Sequence, residues 1–406
     1  MPAQGGFLSE HNPEAVDVAV VGAGAIGLAI GWRARTCGLR VAVLDRGLAG
    51  GGTSRVAAGM LAPVAEVTPA EEPLLELGLR SAAAYPRFAR ELAVAAGVTD
   101  VGYARTGTLL VARDADEAQA LERELELRRG YGLAVGRLRA SQARRLEPGL
   151  TPALRLALEV GDDHAIDPRR LTAALAAAIR RAGGDLRERT AVSALELTDG
   201  RTSGVILGDG STVTARNVVI AAGVWSGEIE GIPASLRIPV APVKGQIMRL
   251  HDPAGPGLLR RVVRMGRSYI VPRGDGRYVI GATSEERGFD TTVTAGAAFE
   301  LLRDASELVP GVSELVLDEF SAGLRPGTPD NLPVIGASAV EGLLWATGHR
   351  RGGILLAPVT AELICSALLG EQPDPLASAF APARFDRAEP QFPPPRSQFP
   401  PTRSPA

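Results

Sequence analysis

The stretch that decides the fold is residues 20–27, which read VVGAGAIG and contain the pattern G-x-G-x-x-G. It overlaps the end of the apolar run Val16 to Val21, whose length and continuity predict a buried parallel strand. It leads into Ala25 to Cys37, whose pattern is helical. A second apolar run, Leu39 to Leu44, completes a strand-helix-strand unit. The sequence therefore predicts a parallel sheet with a dinucleotide at the glycine turn.

Each glycine of this turn has a separate expected role. Gly22 allows the tight turn, Gly24 lets the backbone approach a pyrophosphate, and Gly27 lets the helix pack close to the sheet. The helix N-terminus supplies free N–H groups for the phosphates. Asp45 lies 18 residues after Gly27 at the end of the second strand. A carboxylate there accepts hydrogen bonds from ribose hydroxyls, which supports a dinucleotide site.

Charge and composition exclude several classes of protein. The chain has 406 residues, 44 Lys plus Arg and 46 Asp plus Glu, for a net charge of -2. Binding to nucleic acid through bulk charge is therefore not expected. Hydrophobic residues at 45% and charged residues at 22% are typical of a folded globular chain. The length predicts about two domains.

We expect a cytoplasmic protein without a membrane span. Every apolar stretch is interrupted by polar or charged groups before it reaches about 18 residues, and residues 1–14 lack a basic region followed by an apolar segment. The two cysteines, Cys37 and Cys365, cannot build a disulfide framework or a zinc site. The histidines at positions 11, 164, 251 and 349 lack ligand spacing, so no metal site is predicted.

Patterns in the middle of the chain predict further elements. Asp114 to Tyr131 and Asp167 to Ala182 have helical patterns, and Thr190 to Val219 is typical of short strands with turns at Asp-Gly pairs. Residues Leu236 to Gly281 alternate apolar and polar side chains with tight turns. This alternation predicts antiparallel strands.

Two architectures therefore alternate along the chain. Parallel strands are expected to return at Asn217 to Gly223 and at Leu343 to Gly348. The predicted fold class is mixed α/β and α+β, with a Rossmann-like nucleotide-binding domain interleaved with an antiparallel-sheet substrate domain. The predicted ranges are 15–80, 150–232 and 320–385 for the first domain, and 81–149 and 233–319 for the second. The Pro-rich residues 386–406 are predicted to be disordered.

The kind of dinucleotide is indicated by residues 50–61, which read GGGTSRVAAGML. This long loop of small residues is unlike the third strand of an NAD domain. It resembles the FAD-dependent D-amino acid oxidase superfamily, in which such a loop runs past the pyrophosphate and along the isoalloxazine ring. Five segments resemble, more closely, the glycine oxidase family of thiamine biosynthesis, over about residues 15 to 385. They are AAGMLAP at 57–63, AGVWS at 222–226, PVKG at 242–245, GLRPGTPD at 323–330 and GHRRGGILLAP at 348–358.

The resemblance implies FAD as the cofactor. Non-covalent binding is expected, because neither cysteine lies in a segment placed near the flavin ring. The segment His349 to Leu355 is similar to one whose helix N-terminus faces the flavin pyrimidine end. The glycine turn and the resemblance together place these residues along FAD: Gly22, Gly24, Ala25, Ile26, Gly27, Asp45, Arg46, Thr53, Ser54, Ala58, Gly59, Met60, Val192, His349, Arg350, Arg351, Gly352, Gly353, Ile354 and Leu355.

The resemblance also implies a substrate site. It places Arg325 on the substrate carboxylate, with Tyr269 and Arg351 around the same pocket. A guanidinium offers two parallel N–H donors that match a carboxylate, and a tyrosine hydroxyl adds a third. We expect these three residues to orient the substrate and expect no protein group to transfer a proton.

Several departures from the family pattern leave the substrate preference open. Asp45 stands where Glu is more common, and Ser284 stands where Met is common. Arg350 and Gly352 replace an aromatic residue and an asparagine. The expected substrates are therefore glycine, sarcosine or small D-amino acids.

The implied activity is oxidative deamination. Hydride passes from the substrate to flavin N5, oxygen is reduced to hydrogen peroxide, and the imine of glycine hydrolyses to glyoxylate or enters thiazole synthesis. A D-amino acid oxidase, a sarcosine oxidase and a quinone-linked dehydrogenase are the alternatives with the same fold. A flavin-binding module without turnover is the alternative from another class. The resemblance also implies a homotetramer.

Lys244 is the single lysine among the 44 basic residues. It lies in the PVKG segment that enters the expected antiparallel domain. Two interpretations remain open: a compact ammonium required near the flavin or the substrate entrance, or a salt bridge at the rim.

Overall fold

The computed structural model describes residues 15–385. The elements of its first half are β1 Val16–Val21, α1 Ala25–Thr36, β2 Val41–Leu44, α2 Thr53–Val56, β3 Met60–Leu61, α3 Glu72–Ala96, β4 Tyr103–Ala104, β5 Thr108–Ala112, α4 Ala115–Gly130, β6 Gly136–Arg139, α5 Ala140–Leu146, β7 Leu156–Val160, β8 His164–Ile166, α6 Pro168–Arg181 and β9 Asp185–Arg187. Those of the second half are β10 Val192–Thr198, β11 Arg201–Leu207, β12 Thr212–Ile220, β13 Ala241–His251, β14 Val262–Met265, β15 Ser268–Pro272, β16 Arg277–Gly281, α7 Ala295–Leu308, β17 Val316–Gly327, β18 Val334–Ala337, β19 Leu343–Thr347 and α8 Ala357–Leu368. The predicted disordered segment 386–406 lies outside the described residues.

The first large sheet carries the glycine turn. β1 lies parallel to both β2 and β12, and β12 lies parallel to β19. Val18 to Val21 are buried, which explains the continuous apolar run in the sequence. β10 and β11 extend β12 as antiparallel strands, with turns at Asp199-Gly200 and Asp209-Gly210. The predicted strand-helix-strand unit and the returning parallel strands are confirmed.

Helices pack together on one side of this sheet. α1, α6 and α8 share one apolar core with α3. Leu28 and Ile30 of α1 are fully buried there, together with Leu175 and Ile179 of α6. This core holds the N-terminal end of α1, and with it the glycine turn, in a fixed position against the sheet.

The second large sheet has the strand order β17-β13-β16-β15-β14-β5-β7-β6. Its longest pair joins β13 and β17, with Ala241 opposite Gly327 and His251 opposite Val316. The hairpin of β15 and β16 confirms the antiparallel prediction for this segment. One pair departs from that prediction, because β14 lies parallel to β5. The partner of β14 on this side comes from a distant part of the chain, so no hairpin turn forces the antiparallel direction.

Two predicted domain boundaries have to move. The boundary between residues 80 and 81 falls inside α3, whose buried residues run from Leu75 to Ala96 along one core. The boundary at residue 150 assigns β7 to the nucleotide domain, yet β7 pairs with β5 and β6 in the second sheet. Because β7 lies between β5 and β6 in that sheet, a boundary at residue 150 does not separate the strands of the two sheets. The remainder of the domain division stays a prediction.

Two further findings concern residues 15–385 alone. Within this range no helix combines the length and apolar character that crossing a membrane requires. Over the same residues, His, Cys, Asp and Glu side chains form no cluster of three that could hold a metal ion.

Candidate active site

A cavity of about 1170 Å³ lies where the two large sheets meet. The last residues of β1 and β2, Val21 and Leu44, line one end of it. Side chains of the second sheet, among them Tyr269 and Arg325, line the other end. The volume exceeds the roughly 300–1,000 Å³ of a typical small-molecule site. A dinucleotide and a small substrate could therefore occupy it together.

The glycine turn has the geometry that close approach to a pyrophosphate requires. Gly22 has φ +108°, and a Cβ atom there would lie 2.5 Å from the carbonyl oxygen of Ala221. A Cβ atom on Gly27 would lie 1.9 Å from the carbonyl oxygen of Gly22. Gly22, Gly24, Ala25 and Ile26 line the cavity, whereas Gly27 does not. Gly27 therefore serves helix packing and not ligand contact.

The Asp45 carboxylate stabilises the glycine turn through two hydrogen bonds. Its Oδ2 accepts a hydrogen bond from the backbone N–H of Ala23 at 2.7 Å, and its Oδ1 accepts one from the N–H of Gly47 at 2.7 Å. A carboxylate has about four lone-pair positions, so two remain for ribose hydroxyls. Asp45 thus has a structural role in addition to its predicted ligand role.

Thr53 and Ser54 connect the turn with the second sheet. The hydroxyl of Ser54 accepts a hydrogen bond from the N–H of Ala25, the first residue of α1, at 2.9 Å. The hydroxyl of Thr53 donates to the carbonyl oxygen of Leu324 in β17 at 2.7 Å. The short helix α2 therefore links the phosphate-binding end of α1 to the strand that carries Arg325.

Other residues predicted along FAD also line the cavity. They are Arg46, Ala58, Gly59, Met60 and Val192. The Arg46 guanidinium lies 3.8 Å from the ring centroid of Trp225, another lining residue. The Trp225 ring in turn lies 6.2 Å from that of Phe289.

The segment before α8 is fixed by a buried histidine. His349 Nε2 lies 3.0 Å from the hydroxyl oxygen of Thr360 in α8, and burial lowers the pKa of His349 to about 3. Its imidazole is therefore neutral at physiological pH. Of the residues predicted along FAD in this segment, those that line the cavity are His349, Arg350, Arg351, Gly353 and Ile354, whereas Gly352 and Leu355 do not line it.

Leu355 is turned toward α3. Its carbonyl oxygen accepts a hydrogen bond from Ser81 at 2.6 Å, and a Cβ atom on Gly78 would lie 3.6 Å from its Cδ2. Leu355 therefore packs the segment against a helix and does not face the cavity.

The side chain of Arg325 lies over the backbone of the neighbouring strand β13 at Gly245. Its Nη1 donates to the carbonyl oxygen of Thr283 at 3.1 Å. A Cβ atom on Gly245 would lie 2.3 Å from both terminal nitrogens of the guanidinium, so a side chain at position 245 would displace the guanidinium from its present position. No acidic side chain among residues 15–385 forms a salt bridge with Arg325. Its remaining donors are available for an anion in the cavity.

Tyr269 and Arg351 line the same cavity as Arg325. Burial raises the pKa of the Tyr269 hydroxyl, and the positive charge of Arg325 opposes this shift. The hydroxyl is therefore protonated at neutral pH and can donate a hydrogen bond. Arg351 is exposed. The structure thus brings the three residues predicted for the substrate to one cavity.

Sequence reasoning missed a charged pair in the same cavity. Arg264 Nη1 lies 3.1 Å from Glu66 Oε1, and both residues line the cavity together with Arg267. Arginine makes up all but one of the 44 basic residues, so a single arginine carries almost no signal. Only the position of Glu66, shortly after the AAGMLAP segment, could have drawn attention to it.

Lys244 is buried, and it does not line the cavity. Its side chain is 1% exposed, and its Nζ lies 2.7 Å from Asp290 Oδ2. Its strand neighbours Val243 and Gly245 do line the cavity, so Lys244 points to the opposite face of β13. The expectation of an ammonium beside the flavin or the substrate entrance is therefore wrong. The salt-bridge interpretation is right about the pairing, although the lysine lies inside the protein and not at the rim.

The cysteines lie apart from the cavity. Cys37 is exposed just after α1, and Cys365 is buried in α8. Burial raises the pKa of the Cys365 thiol to about 12, so it does not form a thiolate nucleophile at neutral pH. Neither cysteine is among the lining residues of the cavity, and non-covalent binding of FAD stays a prediction.

Comparison with known proteins gives one family match and several close relatives. Residues 17–367 match the family model described as DAO, FAD dependent oxidoreductase. Glycine oxidase of Geobacillus kaustophilus (strain HTA426) is 37% identical over 350 residues, which are 86% of this chain and 91% of that protein. A crystal structure of glycine oxidase from Geobacillus kaustophilus has a TM-score of 0.83 at 36% identity, and the match covers 92% of this chain and 98% of that one.

Two further relatives differ from these glycine oxidases: one is a longer protein, and the other is named for a different substrate. The bifunctional protein ThiO/ThiG of Synechocystis sp. is 36% identical over 374 residues, which are 91% of this chain and 54% of that longer protein. The crystal structure of iminodiacetate oxidase from Chelativorans sp. BNC1 has a TM-score of 0.82 at 29% identity. That match covers 90% of this chain and 98% of the other.

Proposed function

The chain belongs to the FAD-dependent oxidoreductase family, and from this membership we propose that it oxidises glycine to glyoxylate, with release of ammonia and hydrogen peroxide. The observation that carries the proposal is the Arg325 guanidinium, which forms no salt bridge with an acidic side chain of residues 15–385 and lines the same cavity as the protonated hydroxyl of Tyr269. Both face a cavity whose other end is a dinucleotide turn. Such a pair of donors fits a small molecule with one carboxylate.

The residues of the turn fit FAD. Gly22 and Gly24 leave the backbone open toward the cavity, and the first-turn N–H of Ile26 has no carbonyl partner within its helix. Asp45 offers its remaining lone pairs to the ribose. The chemistry supplied by bound FAD is acceptance of hydride from the substrate and return of the electrons to oxygen.

The protein contributes mainly position. Arg325 and Tyr269 hold the substrate carboxylate, and this fixes the direction of the neighbouring Cα–H bonds. The hydrogen bond between Thr53 and Leu324 sets the distance between that carboxylate site and the glycine turn. The amine must be deprotonated for hydride to leave, and we assign no protein base to that step.

A peroxide assay tests the proposal. The holoenzyme is supplied in air with glycine, sarcosine, D-alanine or D-proline, and hydrogen peroxide is measured. We expect the largest kcat/KM for glycine. A preference for sarcosine or a D-amino acid would favour the alternatives with the same fold, and absence of peroxide with all four would contradict an oxidase. Bleaching of the bound flavin without peroxide would indicate a dehydrogenase.

The role of Arg325 can be tested separately. In Arg325→Ala we expect KM for glycine to rise by at least about thirty-fold, because truncating one partner of a buried charge pair typically costs about 2–5 kcal/mol. FAD should remain bound, as its absorption spectrum reports. The matched control is Arg303→Ala, since Arg303 is exposed on α7 and pairs with Asp304. An unchanged KM in Arg325→Ala would remove this residue from the site.

The physiological setting is a further proposal. The name ThiO/ThiG of the Synechocystis relative supports a role in forming the thiazole of thiamine. We also propose a cytoplasmic location, which the use of only two cysteines fits, and a homotetramer, which the sequence resemblance implies. Cell fractionation and light scattering of the purified protein would test these two points.

A further inference from the structure

We propose that the substrate end of the cavity contains a second carboxylate-binding subsite, formed by Arg350 and Arg351 beside Arg325. The enzyme would then also oxidise small amino acids that carry a second carboxylate. This inference rests on the proposed amino acid oxidase activity and extends its substrate class.

Backbone geometry places the three arginines close together. All three line the same cavity. The N–H of Arg350 donates to the carbonyl oxygen of Pro326 at 2.9 Å, and Pro326 directly follows Arg325. Arg350 has φ +37°, a left-handed backbone conformation that is unfavourable for residues other than glycine. The fold therefore maintains a strained residue at this point, as occurs at functional sites.

Within the described part of the chain, no salt bridge balances the charges of these arginines. No acidic side chain among residues 15–385 forms a salt bridge with Arg325, Arg350 or Arg351. In contrast, Arg264 in the same cavity is paired with Glu66. The pKa of Arg350 is lowered, first by burial and then by the nearby charge of Arg351. Arg350 and Arg351 therefore have guanidinium donors that no carboxylate of the described residues binds in a salt bridge.

The carboxylates of Glu71 and Glu286 offset only part of the positive charge of the three arginines. Glu71 and Glu286 raise the pKa of Arg350, but the opposing effects prevail. Glu71 Oε1 also accepts a hydrogen bond from Asn331 at 3.2 Å. A ligand with two carboxylates would place one on Arg325 and the other on Arg350 or Arg351. Each contact would be a charge-assisted hydrogen bond.

The sequence agrees with this assignment. Arg350 stands where the resembling family has an aromatic residue, and Gly352 stands where it has asparagine. The first change adds a cation and the second removes a side chain beside it. Both changes favour an anionic group at this position over an apolar one.

Two probes represent the proposed class. Oxidation of iminodiacetate breaks one Cα–H bond and then the C–N bond of the hydrolysed imine: iminodiacetate, O2 and H2O give glyoxylate, glycine and H2O2. Oxidation of D-aspartate follows the same electron balance: D-aspartate, O2 and H2O give oxaloacetate, ammonia and H2O2. In both cases the substrate loses two electrons and oxygen gains them.

The experiment compares selectivity in the FAD-loaded enzyme. Initial rates of peroxide formation give kcat/KM for glycine, iminodiacetate and D-aspartate. We expect at least one dicarboxylate to be oxidised. The ratio of its kcat/KM to that of glycine should fall about ten-fold or more in Arg350→Gln or Arg351→Gln, the size expected for one lost hydrogen bond to a charged group. The control Arg201→Gln, which removes a charge paired with Glu341 in the other sheet, should leave the ratio unchanged.

Each outcome distinguishes the inference from the proposed function. Oxidation of glycine but of neither dicarboxylate would overturn the inference and leave the function standing. A ratio unchanged in both variants would also overturn it, and would indicate that the two arginines face the flavin. Absence of peroxide with every amino acid would overturn both proposals.

A measurement on the unaltered protein covers the case in which a variant does not fold. Succinate and propionate are titrated against the FAD-loaded enzyme, and the flavin absorbance reports binding. Because succinate adds a second carboxylate, it should bind about ten-fold more tightly than propionate. Equal affinities would overturn the inference.

Discussion

At the scale of single residues, the position of the Arg325 guanidinium depends on a neighbour without a side chain. The terminal nitrogens of Arg325 would lie 2.3 Å from a Cβ atom on Gly245. This contact joins β13 to β17, two strands that are distant in sequence. The present position of the guanidinium that we propose for the substrate carboxylate therefore depends on glycine at 245.

Gly245→Ala should displace the guanidinium from its position. We expect a rise in KM for glycine of about ten-fold or more with FAD still bound, because the donors no longer meet the carboxylate at the correct angle. Steady-state kinetics and the flavin spectrum measure the two effects.

The matched control is Gly296→Ala. Gly296 lies in α7, and nothing within 4 Å would meet an added Cβ atom. This variant should gain up to about 1 kcal/mol of stability from helix propensity and leave KM unchanged. If Gly245→Ala behaved like the control, the backbone contact would not position Arg325.

Residues near the cavity were predictable to different degrees. Arg325 could be expected at the cavity because it lies in the recognisable segment GLRPGTPD, whereas Tyr269 was placed there by the resemblance alone. Arg264 and Glu66 could not, because their contact joins distant parts of the chain and neither has a local signature. Gly245 was visible as part of PVKG, but its contact with Arg325 depends on the register between β13 and β17.

At the scale of elements, one buried peptide segment is held from both sides. The Asp163 carboxylate accepts hydrogen bonds from the N–H groups of Val64 and Ala65 at 3.2 and 2.6 Å. Arg128 donates to the carbonyl oxygens of the same two residues at 3.0 and 2.9 Å. This segment follows β3 and leads to Glu66, so the two side chains fix one wall of the cavity.

Asp163 should make stability depend on pH. Burial raises the pKa of its carboxyl to about 7, whereas an unfolded aspartate titrates near about 3.9. Between these values the folded state binds a proton that the unfolded state lacks. The contribution to stability is therefore complete below about pH 4 and is lost as pH rises to about 7, with a slope of at most about 1.4 kcal/mol per pH unit.

The variant Asp163→Asn removes this titration. Urea unfolding at pH 5, 6 and 7 should show that the wild-type protein loses stability relative to the variant as pH rises. A constant difference across this range would mean that Asp163 does not change its protonation state there.

Lys244 holds the loop between β16 and α7. Its buried ammonium pairs with Asp290, and the hydrogen bond from Lys244 holds the pKa of Asp290 well below its usual range. We expect Asp290→Ala to lower the urea midpoint more than Lys244→Met. The first variant leaves a buried charge without its partner, whereas the second leaves an exposed carboxylate in water. A lower urea midpoint for Lys244→Met than for Asp290→Ala would show that groups other than Asp290 stabilise the buried ammonium.

At the scale of the whole molecule, the two large sheets form one cavity, although the chain passes between them several times. β5 to β7 and β13 to β17 build the second sheet, while the first takes its strands from the beginning, the middle and the end of the chain. The fold class was predictable because strand patterns are local. The boundaries at 80 and 150 were not, since the placement of α3 and β7 depends on contacts with residues far along the chain.

FAD should stabilise the molecule as one unit, because its predicted site includes residues on both sheets. At a thousand-fold excess over its Kd, a ligand that binds only the folded state adds about 4 kcal/mol. We therefore expect a higher Tm for the FAD-loaded protein than for the apoprotein, measured by circular dichroism. An unchanged Tm would contradict the proposal that FAD binds in this cavity.

Acid precipitation checks the mode of attachment. The pellet should be colourless and the supernatant yellow, because neither cysteine lines the cavity. A yellow pellet would indicate a covalent flavin.

The stacking of Arg46 on Trp225 gives the molecule an optical reporter. Trp225 lines the cavity, whereas Trp32 and Trp345, the other two tryptophans, are buried in the cores of the first sheet. An isoalloxazine absorbs in the range where indole emits, so cofactor entry quenches intrinsic fluorescence, most strongly that of the nearest indole. Occupancy of the cavity can therefore be followed in real time without a label or a substrate.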